Sequence, residues 1–260
     1  MTISFYKYQG AGNDFVIIDN TANTISLNTK QIELLCNRRF GIGADGLMLL
    51  EKHSTMDFNM RYFNSDGNEG TMCGNGGRCL VAMARRLNVI SEKTSFNSID
   101  GVHNAIINDD NTVSLQMQDV SSIDVVDENY FLDTGSPHYV AFCNDVKNVD
   151  VFNKGKEIRY SEKFRAEGTN VNFVEILNEK KLFVRTYERG VENETLSCGT
   201  GVTASAISAA IHINSDKKSF DIETLGGNLN VRFNQKSNNT FEDIWLTGPA
   251  EFVFEGKIEI

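Results

Sequence analysis

The sequence predicts an α+β protein made of two related halves, each with mostly antiparallel strands around one buried helix. Most of the chain alternates between apolar and polar residues with a period of two, which is typical of half-buried strands. Two helical stretches are small or apolar on nearly every face, which is typical of helices surrounded by other elements. Each of these helices follows a short run that begins Cys-Gly, and the two runs lie almost half the chain apart.

The predicted strands are connected by short polar turns, such as residues 108–111 and 178–181. Turns of this length join neighbouring antiparallel strands, so the sheets are expected to be mostly antiparallel. The segments with strand periodicity are residues 3–8, 15–19, 47–51, 58–63, 112–117, 171–176, 182–187, 219–223, 229–233 and 252–260.

Helices are predicted at residues 29–37, 78–87, about 149–160 and 202–213. The second and fourth are the two that we expect to be buried. The runs before them are Cys73-Gly74-Asn75-Gly76-Gly77 and Cys198-Gly199-Thr200-Gly201. Two such runs at equivalent places indicate an internal duplication. We therefore predict two domains, residues 1–122 and 123–260, with the last strand able to return to the first domain.

Composition and charge exclude several classes of partner. The 260 residues carry 25 Lys plus Arg against 35 Asp plus Glu, a net charge of −10. Nucleic-acid binding proteins gather basic residues, so we expect no nucleic-acid partner. No stretch approaches the roughly 20 apolar residues of a membrane helix, and the N-terminus lacks the apolar core of a secretory signal. We expect no membrane partner and a cytoplasmic location.

The five cysteines contain no C-x-x-C pair, which argues against a zinc site or a thiol redox module, and their odd number argues against a disulfide framework. Cys73 and Cys198 differ from the others because each precedes a helix start, where a thiolate is favoured. The neighbouring glycines let backbone N–H groups approach an anion such as a carboxylate. One thiolate can then remove an α-proton while the other thiol protonates the opposite face. The pattern therefore predicts a two-base racemase or epimerase with no metal and no cofactor, pyridoxal phosphate included.

Motifs along the whole chain resemble the diaminopimelate epimerase family. They are GAGNDF from Gly10, RFGIGADG from Arg39, FNSDGNE from Phe63, MCGNGGRC from Met72, TGSPH from Thr134, GTNVNF from Gly168, YERG from Tyr187 and CGTG from Cys198. The resemblance implies two pseudo-symmetric domains, each a barrel-like sheet around a central helix, with the site in the cleft between them. It also implies a homodimer that interconverts LL- and meso-2,6-diaminopimelate for lysine and peptidoglycan synthesis.

The resemblance also implies roles for individual residues. Cys73 and Cys198 match the acid–base pair. The backbone around the reacting carboxylate would come from Gly74, Asn75, Gly199 and Thr200. The distal ammonium and carboxylate would be held by Asn13, Asn64, Asn170 and Arg189, whose amide and guanidinium groups suit a zwitterion. Glu188 matches a substrate-binding position, and His138 and Glu188 match residues that tune the two thiols.

Three positions depart from the family pattern. Ser136 stands where Asn is frequent, Gly46 where some members have Gln, and residues 190–195 are one residue longer than in some relatives. Two other readings of the sequence stay open. A proline or hydroxyproline racemase would share the paired cysteines but lack the distal set that includes Asn13, Asn64 and Arg189. A non-catalytic amino-acid binding protein would share the anion sites without turnover.

Overall fold

The computed structural model describes residues 1–237 and 239–260, and these form two compact units. One unit contains Met1–Leu115 with Gly248–Ile260, and the other contains Gln116–Thr247. The domain boundary at residues 122/123 stays a prediction. It concerns duplicated halves of the sequence, whereas the two units are defined by which residues pack together in the fold. Among the described residues, no helix combines the length and the apolar character that crossing a bilayer requires.

The first unit alternates hairpins with two helices. Its elements up to residue 116 are β1 (Thr2–Gly10), β2 (Asn13–Asn20), α1 (Thr29–Cys36), β3 (Gly46–Glu51), β4 (Phe58–Asn64), β5 (Glu69–Gly70), α2 (Gly74–Arg86), β6 (Lys93–Ser98), β7 (Gly101–Ile107) and β8 (Val113–Gln116).

The second unit repeats this order of strands and helices. Its elements are β9 (Ile123–Val126), β10 (Asn129–Asp133), β11 (Pro137–Phe142), α3 (Val151–Arg159), β12 (Asn170–Asn178), β13 (Lys181–Glu188), β14 (Asn193–Thr195), α4 (Gly199–His212), β15 (Ser219–Thr224), β16 (Gly227–Ser237) and β17 (Thr240–Gly248). A 3-10 turn at Val146–Asn148 precedes α3. The last strand, β18 (Glu251–Glu259), belongs to the first unit.

The pairing of the strands confirms the pseudo-symmetric α+β fold. The hairpins β3–β4 and β6–β7 of the first unit are antiparallel, as are β12–β13 and β15–β16 of the second. Parallel pairs, which the sequence did not predict, occur at β2–β3 and β4–β6 and again at β11–β12 and β13–β15. Parallel neighbours need a crossover connection, and α1, α2, α3 and α4 provide one in each case.

Each unit has one central helix. Helix α2 contacts β1 to β4, β7 and β18, whereas α4 contacts β10 to β13, β15 and β16. Both helices are buried along most of their length, as predicted. They begin at Gly74 and Gly199, earlier than the predicted starts at residues 78 and 202. The prediction failed at these ends because glycine is a poor helix former, and here burial among the strands overrides that propensity.

The other two helices pack on the outside of the strands. Ile32 and Leu35 of α1 join an apolar cluster with residues of β2 and β3. Val151 of α3 joins an equivalent cluster that includes Tyr187 of β13. Gly155 lets α3 approach this strand, because a Cβ at residue 155 would overlap the Cβ of Tyr187.

We expect Gly155→Ala to lower the free energy of unfolding by about 1–2 kcal/mol. Alanine is the better helix former by about 1 kcal/mol, but overpacking against Tyr187 costs about 1–3 kcal/mol because the strand or the helix must move. Urea denaturation measures the change, with exposed Lys154→Ala in the same helix as the control. Equal or greater stability of the Gly155 variant would contradict the close approach.

The final strand completes the first unit. β18 runs antiparallel to β1, from Thr2 opposite Glu259 to Gln9 opposite Glu251. β9 has the equivalent position beside β10 in the second unit. From the sequence, this last strand could pair with either half of the chain. Its pairing with β1 places it in the first unit.

Every predicted strand is present, but β5, β6, β7, β9, β10, β11, β14 and β17 were not predicted. In β6 the inward positions include Thr94 and Ser98, which are buried although polar, so the apolar alternation is weak. In β17 Asp243 has a positive φ of 51°, and the register shifts nearby. This irregularity interrupts the period of two, and Phe241 and Ile244 are both buried.

Candidate active site

Cys73 and Cys198 have the same structural position in the two units, because each is the N-cap residue of the central helix. Both have an extended backbone, with φ −92° and ψ 125° at Cys73 and φ −120° and ψ 115° at Cys198. Neither helix has an acidic side chain in its first turn. The N–H groups and the dipole at such a helix start favour an anion. Each cysteine therefore lies where a carboxylate or a thiolate is stabilised.

The residues that follow the cysteines begin the helices, namely Gly74 and Asn75 in α2 and Gly199 and Thr200 in α4. None of the five cysteines, all of which lie in the described ranges, forms a disulfide. Cys73 and Cys198 are therefore both in the reduced form.

In the first unit, the thiol of Cys73 is hydrogen-bonded to Asn13. Its Sγ lies 3.6 Å from Asn13 Oδ1, and Asn75 Nδ2 donates to the same oxygen over 3.4 Å. The amide of Asn13 is oriented by Asp45, because Nδ2 donates to Asp45 Oδ2 over 2.7 Å. The carbonyl oxygen of Asn13 therefore faces Cys73. The structure brings together Asn13, Cys73 and Asn75, three of the predicted site residues.

Arg78 supports the start of α2 through Gly74 and Asn75, and it was not among the site residues predicted from the sequence. The side chain is fully buried, and Nη2 donates to Asn75 Oδ1 over 2.8 Å while Nη1 donates to Gly74 O over 3.2 Å. Burial lowers the pKa of Arg78, and the neighbouring thiols of Cys79 and Cys73 oppose that effect. The available signal was its place inside the MCGNGGRC motif, one helical turn after Gly74.

Asn64 and Gly46 lie opposite each other where β3 pairs with β4. Asn64 is exposed at the end of its strand and leads into the β4–β5 turn. At Gly46 an added Cβ would lie 2.5 Å from Cε2 of Tyr62 and 2.7 Å from the carbonyl oxygen of Phe63. Tyr62 therefore fills the space that a side chain at residue 46 would need. A side chain such as Gln at residue 46 would require Tyr62 to move.

In the second unit, Cys198 is linked to His138 through Thr200. Thr200 Oγ1 lies 3.4 Å from Cys198 Sγ and 2.8 Å from His138 Nε2. Burial lowers the pKa of His138 to about 3, and the charge of Arg189 acts in the same direction. The imidazole is therefore neutral near pH 7. His138 thus contacts Thr200 as a neutral hydrogen-bonding group rather than as a cation.

Asn170, Arg189 and Ser136 form a second group in this unit. Asn170 Oδ1 accepts the backbone N–H of Arg189 over 2.9 Å, and Asn170 Nδ2 donates to Ser136 Oγ over 2.9 Å. The guanidinium of Arg189 lies 3.4 Å from Ser136 Oγ and donates to Glu167 O over 3.0 Å. Ser136 therefore connects the two residues. The exposed Arg189 side chain is accessible to a ligand.

The longer loop after Arg189 is anchored by Glu192. The backbone N–H of Glu192 donates to Glu188 O over 2.8 Å. Its carboxylate accepts the N–H of Gly190 and the hydroxyls of Tyr160 and Tyr187, over 3.0–3.1 Å. Glu188 Oε2 in turn accepts the hydroxyl of Thr195 over 2.9 Å. These contacts hold Glu188 and Arg189 at the end of β13, and Glu192 is a supporting residue that the sequence reading missed.

The comparisons with known proteins agree with one another. A family model described as "Diaminopimelate epimerase" matches residues 5–123 and 130–253. A Flavobacterium psychrophilum protein named diaminopimelate epimerase is 52% identical over 98% of this chain and 100% of its own. One of the same name from Chlorobaculum tepidum is 40% identical over 96% of this chain and 99% of its own.

Solved structures share the fold at low identity. A phenazine biosynthesis protein of the PhzF family from Bacillus anthracis has a TM-score of 0.74 at 15% identity, covering 100% of both chains. A hydroxyproline epimerase from Agrobacterium vitis has a TM-score of 0.68 at 12% identity, covering 99% of this chain and 92% of its own. These likenesses confirm the fold class.

Proposed function

The chain belongs to the diaminopimelate epimerase family and interconverts LL- and meso-2,6-diaminopimelate, a step of lysine biosynthesis, and we propose that Cys73 and Cys198 are its acid–base pair. The observation that carries the proposal is their equivalent position: each is the N-cap of the central helix of its unit. The isomerase activity is that of the family, and the assignment of residues is ours.

The proposed step inverts one stereocentre without a cofactor. The C–H bond at the α-carbon breaks as its proton passes to one sulfur as thiolate, and a new C–H bond forms on the other face with the proton of the second thiol. The electron pair left by the first proton is delocalised onto the carboxylate. Backbone N–H groups at the starts of α2 and α4 stabilise that charge. After one turnover the two sulfurs have exchanged protonation states.

The proposed substrate contacts divide by the end of the molecule that they bind. Gly74, Asn75, Gly199 and Thr200 surround the reacting carboxylate. Asn13, Asn64, Asn170 and Arg189 hold the distal ammonium and carboxylate. Glu188 also binds the substrate and, with His138, tunes the two thiols. A second charged end is what separates this substrate from proline and hydroxyproline, so Arg189 and its supporting residues carry the specificity.

Deuterium exchange tests the activity and the absence of a cofactor together. Fully reduced protein in deuterated water is expected to exchange the α-hydrogen of diaminopimelate without added pyridoxal phosphate, and to leave proline and hydroxyproline unexchanged. Absence of exchange would favour the non-catalytic binding protein. Exchange of proline would favour the racemase alternative.

We expect Arg189→Lys to lower kcat/KM for diaminopimelate about 10–100-fold, mainly through KM. Lysine keeps the charge but loses the bidentate grip on a carboxylate, and a hydrogen bond to a charged group contributes about 1.5–3 kcal/mol. Steady-state kinetics measures the change, with exposed Arg165→Lys as the matched control. Unchanged kinetics in the Arg189 variant would show that Arg189 does not bind the distal carboxylate of the substrate.

A homodimer and a cytoplasmic location belong to the same proposal. Phe252 and Phe254, which share one face of β18, are partly exposed and offer an apolar surface for a second copy. Two activated thiols need the reducing conditions of the cytosol to stay reduced. Sedimentation at several protein concentrations tests the dimer, and a monomer throughout would contradict it.

A further inference from the structure

Asn172 and His138 are both fully buried behind Cys198, in the second unit. Asn172 Nδ2 lies 3.0 Å from His138 Nδ1, and His138 Nε2 lies 2.8 Å from Thr200 Oγ1, which is 3.4 Å from Cys198 Sγ. Four side chains thus form one continuous series of hydrogen bonds that ends on the sulfur.

The amide of Asn172 can have only one orientation. The same Nδ2 that faces His138 also donates to the backbone carbonyl of Tyr139 over 3.3 Å. A carbonyl oxygen only accepts, so the group beside it must be the NH₂ rather than the amide oxygen. Oδ1 faces the other way and accepts the hydroxyl of Thr186, the residue opposite Asn172 on β13, over 2.9 Å.

This orientation determines the tautomer of His138. A neutral imidazole has one donor and one acceptor nitrogen. Nδ1 accepts from Asn172, so the ring proton is on Nε2 and is donated to Thr200 Oγ1. Arg189 is the charged group that acts on the ring, and its charge further disfavours the imidazolium. Because Thr200 Oγ1 accepts from His138, its own hydroxyl hydrogen is available to Cys198 Sγ, 3.4 Å away.

The second glycine of the CGTG motif makes room for this series. A Cβ at Gly201 would overlap Asn172 Oδ1 and would lie 3.3 Å from both His138 Cε1 and Cys198 Cβ. At the equivalent Gly76 of the first unit, the nearest atom would be Met48 Sδ at 3.2 Å. The glycine after Thr200 is thus required by Asn172 more than by helix geometry.

We propose that Asn172 is a positioning residue, which holds His138 in the Nε2–H tautomer and so directs the Thr200 hydroxyl as a donor to the Cys198 thiolate. The proposal rests on the proposed function, since it takes Cys198 as one of the two reacting sulfurs. A series of hydrogen bonds whose donors all point toward the sulfur favours the thiolate form of Cys198 over the thiol form. The sequence signal is periodicity, because Asn172 is two residues after Asn170 and faces the same side of β12.

The tautomer itself can be measured in the unmodified protein. Nitrogen-15 NMR of histidine-labelled protein is expected to show His138 as the Nε2–H tautomer from pH 6 to 9. An Nδ1–H tautomer or an imidazolium in this range would overturn the proposal. This measurement does not depend on turnover, so it is independent of whether the enzyme assignment holds.

A matched pair of threonines tests the contact with sulfur. We expect Thr200→Val to lower the rate of Cys198 alkylation by iodoacetamide at pH 7 about tenfold, because the thiolate loses a hydrogen bond. Thr203→Val removes a hydroxyl from the same helix, where it bonds only locally to Gly199 O in α4, and is expected to leave the rate unchanged. Equal rates in both variants would overturn the proposal.

A double-mutant cycle separates positioning from a merely structural role. Asn172→Leu alone is expected to slow alkylation of Cys198 about as much as Thr200→Val, and to give His138 resonances of mixed tautomers. The double variant is expected to react no more slowly than Thr200→Val alone, because both changes interrupt one series. Additive losses would show that Asn172 acts only through packing, and would overturn the proposal.

Discussion

Replacement of either Cys73 or Cys198 by Ala is expected to lower kcat for epimerisation about 10³-fold or more. In the proposed step each thiol supplies a proton transfer that contributes typically 10²–10⁴-fold, and neither sulfur can reach both faces of the α-carbon. Both directions of the reaction are expected to fail, because the two residues exchange roles with direction. The assay follows LL- and meso-diaminopimelate by chiral separation.

Cys143→Ala is the matched control for these variants. Cys143 is half-buried outside both central helices, and burial raises the pKa of its thiol. Its removal is expected to leave kcat unchanged. Epimerisation retained by Cys73→Ala would refute the two-base assignment.

The activity of the unmodified enzyme is expected to show a bell-shaped dependence on pH. The two apparent pKa values of this profile belong to the pair of sulfurs rather than to either one.

Replacement of Arg78 by Met is expected to lower the free energy of unfolding by about 3 kcal/mol. The guanidinium is fully buried and donates to Gly74 O, to Asn75 Oδ1 and, over 3.5 Å, to Pro249 O. Without it, three acceptors lose a donor in a dry environment, at about 1–3 kcal/mol each. Part of this loss is offset because a charge no longer has to be buried.

Arg85→Met provides the control, since Arg85 is exposed in the last turn of the same helix. Urea denaturation compares the two variants, and similar stability would contradict a supporting role for Arg78. The reactivity of Cys73 toward iodoacetamide is a second readout. Loss of Arg78 frees Asn75, which shares the oxygen of Asn13 with Cys73, so a changed rate is expected only in the Arg78 variant.

Much of the fold could be predicted because its signals are local. The period of two located ten strands, and the stretch of mostly small or apolar residues after Gly201 located the central helix of the second unit. β6, with buried Thr94 and Ser98, was missed because apolar periodicity is the only local signal of a strand. The helical crossovers were missed because hairpin turns say nothing about which distant strands lie side by side.

The two cysteines could be singled out from the residues alone, since chemical type, flanking glycines and repetition are all properties of the linear chain. Their surroundings could not. Whether Asn13 faces Cys73 depends on Asp45, and whether His138 is a cation depends on its burial and on Asn172. These partners come from separate strands and loops, so only packing brings them together.

The family and its activity follow from motif order, which the chain carries without reference to its shape. The electrostatic state of the site is a tertiary property, because it depends on which groups lose water and which donors remain within about 3 Å. Gly46 illustrates the difference: its identity is plain in the sequence, but the reason for it is the ring of Tyr62 on the neighbouring strand.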